Sequence, residues 1–318
     1  MTTVQEKPAT TFFSRIWTYL VEMYPLHVNV PYSFMSFFGF HMLVQAIHGV
    51  HPLAVSRASV AGAFTLAAFT LLMRVFDEFK DYEHDCRLFP HRPLPSGRVL
   101  PGDLRLLGWT LVLFMTALNV TLGKGFLGFL ALLTFALLMF RYFFLPDLHR
   151  RSLLLTLVTH NPVVFFTHLY VLTVFMQEQG LSFRALAPAT WPGIAMFWLL
   201  VFSWETSRKI RAREEEDAYV TYSQIFGPRR AALVPVVGLT ISAAIAVVFH
   251  RMLGLSWPFL VAVGLAYFYA MSGFVRWLRA QSPANSKLRP FVEAFSLVLY
   301  LAVILDLGIR LGFRWMPL

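Results

Sequence analysis

The chain has 318 residues, 57% of them hydrophobic and only 14% charged, with a mean hydropathy of +0.61, which excludes an ordinary soluble domain. Its single cysteine, Cys86, excludes an internal disulfide framework and any cysteine-only metal cluster. The net charge of +10 is carried on short loops between apolar runs, a distribution that argues for a lipid bilayer and against a nucleic-acid partner.

Residues 1–11 are polar and lack an apolar core segment, so no cleaved signal peptide is expected. Residues 12–22 predict an amphipathic helix on the membrane surface, within a tail of residues 1–28 that precedes the spans of one domain covering 1–318. Nine spans follow, at 30–46, 58–76, 106–122, 126–144, 153–176, 192–204, 232–249, 258–274 and 291–309. They are apolar on all sides rather than along one stripe, as burial in lipid requires. The sixth is short and reaches a full span only past Glu205, which puts Glu205 near a membrane boundary. Asn161-Pro162 interrupts the fifth, where proline frees a backbone carbonyl and Asn161 is a candidate pocket residue.

Nine spans put the two termini on opposite sides. With the N-terminus inside, 21 of the 27 Lys and Arg fall on the inner side and 6 on the outer. The positive-inside rule therefore favours that orientation. The acidic residues cluster on the same side. Asp77, Glu78, Asp81, Glu83 and Asp85 follow span two, and Glu205, Glu214, Glu215, Glu216 and Asp217 follow span six. Each cluster leads to a basic loop and a proline-containing helix entry, a weak internal repeat.

If helix two continues through residue 85 at about 100° per residue, Asp77, Glu78, Asp81 and Asp85 share one face and Glu83 points elsewhere. Four carboxylates on one face repel each other and need cations. Hard oxygen ligands suit Mg²⁺, which takes a few carboxylates and fills its remaining positions with water and phosphate oxygens. The segment that follows is dense in cations and stiff with proline, at Arg92-Pro93-Leu94-Pro95-Ser96-Gly97. Carboxylates, magnesium and flanking cations together make a diphosphate site. Arg74 sits one turn before the cluster, where it either joins that site or pairs with Asp77 or Glu78. Cys86 reads as a bystander, and no His spacing suits zinc.

These residues resemble the UbiA superfamily of intramembrane prenyltransferases. Its first motif, Asn-Asp-x-x-Asp-x-x-x-Asp, closes helix two ahead of an Arg-Pro-Leu-Pro-Ser-Gly-like loop. Here Asp77 stands at the Asn position and Glu78, Asp81 and Asp85 at the three Asp positions. The second motif lies after helix six. It is matched by Arg208-Lys209 and by Gly227-Pro228-Arg229-Arg230, but Ser203 and Ser207 stand where acids are usual and only Glu205 remains. A Tyr-x-x-x-Lys-Arg pattern near the end of helix four is echoed by Tyr142 with Arg150-Arg151.

The resemblance implies an all-α, polytopic membrane protein: nine transmembrane helices around a central cavity with cytoplasmic cap loops. It implies Mg²⁺ held by Glu78, Asp81, Asp85 and Glu205, with Asp77 beside them. Arg74, Arg92, Arg150, Arg208 and Lys209 are the diphosphate-binding candidates, and Tyr142 and Asn161 the pocket candidates. The implied reaction ionises an isoprenyl diphosphate and transfers the prenyl group to an acceptor, often aromatic. A terpene cyclase of the same type, in which the chain's own double bonds quench the cation, is the alternative. A lipid-binding or transport protein using the acidic face is a third. His160 and His168 read as satisfied core groups, and Glu293 and Asp306 in the ninth span as either functional or structurally paired.

Overall fold

The computed structural model describes residues 11–122, 125–217 and 219–316, with the side chains at 122 and 150 not among them. It is a polytopic helical bundle. Its helices are α1 Phe12–Met23, α2 Leu26–Ile47, α3 Arg57–Lys80, α4 Tyr82–Leu88, α5 Pro101–Leu122, α6 Phe126–Phe140, α7 Pro146–Arg151 and α8 Leu153–His160, continued by α9 Val163–Gln179, α10 Thr190–Ser207, α11 Tyr222–Phe226, α12 Pro228–Leu253, α13 Trp257–Arg279 and α14 Arg289–Leu311.

Seven helical stretches among the described residues are long and apolar enough to cross a membrane. Of the nine expected spans, the fourth is the shorter apolar α6, 15 residues long. The sixth is the 18-residue α10, which carries Glu205 in its last turn. The fifth is broken where expected, with α8 ending before Asn161 and α9 starting after Pro162. The fourth stops at Phe140, short of residue 144, because Tyr142, Phe143 and Phe144 all adopt positive φ. One feature lies outside the all-α expectation. Strands β1, Leu53–Ser56, and β2, Phe313–Met316, pair in parallel with Leu53 opposite Phe313. Four residues are too few to show a strand period, and the partners sit at opposite ends of the sequence.

Lipid gives helices no hydrophobic reason to associate, so close backbone approach and internal hydrogen bonds carry the packing. Gly62 of α3 lies against the Phe37 ring of α2, where a Cβ would come within 2.5 Å of the ring. Gly238 of α12 meets Ser203 of α10 in the same way, at 2.4 Å. Ser203 also donates to Pro235 O at 3.2 Å, so this serine joins two helices where the resemblance had suggested an acid. Away from the acidic helix ends, His41 Nε2 lies 2.8 Å from Glu178 Oε2, and Ser56 and Gln45 complete a buried network. Asp306 binds Arg310 and accepts from the backbone N–H of Ser256, a structural pairing.

Aromatic rings close the middle of the bundle. Phe197 and Tyr300 are parallel at 4.7 Å and His168 stacks on Phe197 at 6.0 Å, all three buried. Toward the acidic helix ends, Tyr32 and Ser36 stand on Tyr300 and remain partly accessible. Phe268 and Tyr269 are exposed on the outside of the bundle. Tyr267 is tied to Thr240, and Trp198 donates its indole N–H to Asn161 Oδ1.

Candidate active site

α3 ends at Lys80, and Asp81 caps it with φ −100° and ψ 8° before α4 begins. The continuous helix expected through residue 85 is therefore broken at Asp81. The register survives, because Asp81 N donates to Asp77 O at 2.9 Å and Asp85 N to Asp81 O at 2.8 Å. Asp77, Asp81 and Asp85 thus follow one another turn by turn, and Glu83 is exposed.

The four acids of this end differ in their partners. Glu78, 2% exposed, takes a salt bridge from Arg74 of the preceding turn. Asp85, 5% exposed, accepts from Arg92 Nη1 at 2.6 Å, and the Arg92 guanidinium lies 4.0 Å from the Phe89 ring centroid. Asp77 and Asp81 make no ion pair and no side-chain hydrogen bond among the described residues. Asp81 reaches the surface, yet burial among its neighbours still pushes its carboxyl above the usual range, Lys80 pulls it back and Asp85 adds to the rise. The loop holding Arg92 is pinned by buried Leu94 and Val99 and turns through Gly97 at φ +77°.

The end of α10 is built differently. Arg208 Nε donates to Glu205 Oε2 at 2.6 Å, and Lys209 Nζ lies 3.1 Å from Glu205 Oε1. One carboxylate thus holds two cations. The following loop folds over the first motif, with the Tyr219 ring 5.6 Å from the His84 ring of α4. Lys209 lies under two rings, 6.0 Å from the centroid of Tyr219 and 5.9 Å from that of Tyr222. Arg208 and Asp77 are within charge–charge range, which brings the ends of α10 and α3 near each other. The acidic run at 214–217 is structural: Glu215 caps Ala212 N, Glu216 accepts from Thr221, and Asp217 pairs with Arg211.

Several residues here give no signal in the sequence. Tyr19 of α1 is fully buried beside Arg74 and Glu78, while Phe13, Trp17 and Val21 of the same helix are exposed. Arg98 clamps Glu22, with Nη2 at 2.8 Å from Oε2, and Arg15 clamps Asp103 at 2.6 Å. Lys80 and His160 are in contact, and Tyr142 lies beneath Lys80. Asn161 is occupied by Trp198, Glu293 by Arg289 and Trp204. Arg150 falls in α7, but its side chain lies outside the described residues.

Among the described residues, four buried polar atoms around the site lack a hydrogen-bond partner: Tyr19 Oη, Arg74 Nε, His84 Nε2 and Tyr222 Oη. No group of three or more His, Cys, Asp or Glu side chains among the described residues is placed to hold an ion by itself. That arrangement fits magnesium, which takes one or two carboxylates and completes its shell with water and substrate phosphates. Asp77 and Asp81 are the acids of this end without an ion pair among the described residues.

The fold has solved counterparts. A UbiA homologue from Aeropyrum pernix K1 aligns over 87% of this chain and 98% of its own, with 14% identity and a TM-score of 0.66. A structure from work on digeranylgeranylglyceryl phosphate synthase in membranes aligns over 92% of this chain and 99% of its own, with 12% identity and a TM-score of 0.62. A search of curated protein sequences finds no match. The model of the UbiA prenyltransferase family matches residues 33–299, a stretch that holds both motifs and the helices carrying them, and the chain belongs to that family.

Proposed function

We propose that the chain binds an isoprenyl diphosphate at the cytoplasmic ends of α3 and α10, ionises it with the help of Mg²⁺, and passes the prenyl group to an acceptor. One observation carries this reading: two carboxylates free of ion pairs among the described residues, Asp77 and Asp81, close α3, and Asp77 is within charge–charge range of Arg208, which shares Glu205 with Lys209 at the end of α10. A diphosphate with a divalent cation carries both signs and fits between them. Asp77 and Asp81 would hold the ion, with Glu78, Asp85 and Glu205 as further ligands once their arginines turn to phosphate. Bound there, magnesium would offset the charge that develops on the departing diphosphate.

The chain's own residues supply the rest. Arg208, Lys209 and Arg92 orient the diphosphate, and Arg74 Nε is free to join them. The allylic C–O bond breaks, with its electron pair leaving on the diphosphate. The carbocation forms between the helices, away from bulk water, near the partly accessible Tyr32 ring, since aromatic faces favour positive charge. An acceptor, aromatic in many such reactions, attacks it and loses a proton. The N-terminus is inside, by the distribution of Lys and Arg, and α1 lies on the inner surface with Phe13 and Trp17 toward lipid.

A cyclase is the second reading, favoured by the single acid of the second motif. The test is to incubate purified protein with prenyl diphosphates of several lengths and Mg²⁺, with and without an aromatic acceptor. Prenylated acceptor supports the transferase. Cyclic hydrocarbon formed without acceptor supports the cyclase. No turnover under either condition refutes both and leaves a lipid-binding or transport role.

A further inference from the structure

Lys80 lies among the carboxylates of the first motif but does not pair with them. Its Nζ is 2.9 Å from His160 Nε2 and 4.3 Å from the centroid of the Tyr142 ring. His160 Nδ1 lies 3.0 Å from Thr159 Oγ1, which lies 3.0 Å from His149 Nε2. His149 Nδ1 lies 2.9 Å from Leu145 O.

The direction of this chain follows from its far end. A carbonyl oxygen only accepts, so His149 Nδ1 carries a hydrogen and Nε2 of the neutral ring is bare. The Thr159 hydroxyl then donates to His149 Nε2, and its oxygen accepts from His160 Nδ1–H. That leaves His160 Nε2 bare, and it accepts from the Lys80 ammonium. Thr159 Oγ1 also has Leu155 O at 2.7 Å as a competing acceptor for its one hydrogen. In the arrangement that satisfies His149 Nε2, the lysine cation is the source of the chain. Successive hydrogen bonds of this kind polarise one another.

The backbone has been bent to make the arrangement. Tyr142, Phe143 and Phe144 take φ of 50°, 50° and 62°. Left-handed backbone is unfavourable for a residue with a side chain, and three in a row persist only where the surroundings fix them. This turn puts the Tyr142 ring beneath Lys80 and stacks Phe143 on His149 at 6.0 Å. If Lys80 served only to neutralise its neighbours, it would pair with Asp77 or Asp81. Instead it is held against His160 of α8 and the Tyr142 ring of the turn between α6 and α7, with one hydrogen bond among the described residues and two N–H groups to spare. Lys209 is within charge–charge range of His160, on the same side of the site.

We propose that Lys80 is a substrate-binding cation that contacts the diphosphate, and that His160, Thr159, His149 and Tyr142 are positioning residues that hold it ready. The proposal rests on the reading of this site as a prenyl diphosphate site. It adds a cation from α3 to those that α10 supplies.

The test is calorimetric titration of the protein in lipid nanodiscs with inorganic diphosphate and Mg²⁺, with thermal melting of each variant alongside. Lys80→Gln is expected to weaken binding by about 10-fold or more, the weight of one charge-assisted hydrogen bond, with Lys80→Arg recovering most of it. Thr159→Val interrupts the chain without touching the site and is expected to weaken binding by about 3-fold through lost polarisation. Lys80→Gln binding as tightly as the unaltered protein, whether or not it melts lower, would overturn the role of Lys80. Unchanged binding in Thr159→Val would overturn the positioning chain. Failure of the unaltered protein to bind diphosphate would instead remove the underlying reading of the site, and this proposal with it.

Discussion

The two acidic helix ends share a scaffold and differ in what their carboxylates hold. At the end of α3, arginines occupy Glu78 and Asp85 and leave Asp77 and Asp81 open. At the end of α10, Glu205 is the one carboxylate and it holds both Arg208 and Lys209. The first end therefore has negative charge to spare and the second has positive charge to spare. Unit charges 4 Å apart interact by about 4 kcal/mol at an effective dielectric near 20, so a surplus of either sign is a strong selector of ligand. The weak repeat seen in the sequence is a repeat of helix, acid and basic loop. It is not a repeat of charge: the first half leaves carboxylates without an ion pair, and the second gathers two cations on one carboxylate.

The comparison breaks most directly at the open carboxylates. Asp81→Ala and Asp77→Ala are each expected to lower turnover of a prenyl diphosphate by about 100-fold or more at saturating Mg²⁺, the scale of removing a main electrostatic stabiliser. Activity of either variant within a few-fold of the unaltered protein would show that the acidic end does not hold the metal. The cationic end is next. Arg208→Gln and Lys209→Gln should raise KM for the prenyl diphosphate by about 10-fold, since each removes a charged donor. Their Mg²⁺ requirement should stay nearly constant. A raised Mg²⁺ requirement with constant KM would reverse the assignment of the two ends.

Much of this difference was visible in the sequence and much was not. The spacing of Asp77, Asp81 and Asp85 and the stiff loop at Arg92 are local features, and local features survive into the fold even though α3 breaks at Asp81. The second motif showed its loss of acids equally plainly, and Ser203 proves to be a helix-packing contact. What no local pattern gives is pairing across the bundle. Lys80 meets His160 from a different helix, and Tyr142 meets Lys80 only because three side-chain-bearing residues adopt left-handed backbone. Which carboxylates stay open is hidden for the same reason: it depends on where Arg74 and Arg92 reach, and the spacing of the acids alone does not say.

Glu205 sharpens the comparison further. If the second end only binds anion, its carboxylate serves to hold Arg208 and Lys209 in place. Glu205→Gln removes the charge and keeps one of the two acceptor oxygens at nearly unchanged size. The expected result is a change in KM of about 3-fold, with the Mg²⁺ concentration for half-maximal activity unmoved. A marked rise in that concentration would mean that a metal also binds at α10, as the family resemblance first suggested.

The smallest effect belongs to Glu83, and it tests the register on which the first end depends. Glu78 and Glu83 lie five residues apart, which on an ideal helix separates them by about 140° around the axis. The break at Asp81 does not bring them together: Glu78 is 2% exposed and bonded to Arg74, whereas Glu83 is exposed. Glu83→Gln therefore removes a solvated charge, and such charges contribute little. Rate, Mg²⁺ requirement and melting temperature should all stay close to those of the unaltered protein. Glu78→Gln leaves the Arg74 guanidinium without its carboxylate in a buried setting, so it should lower the melting temperature measurably and weaken activity through Arg74. A damaging Glu83→Gln with a harmless Glu78→Gln would mean that the carboxylates turn the other way, and that Asp77 and Asp81 do not face Arg208.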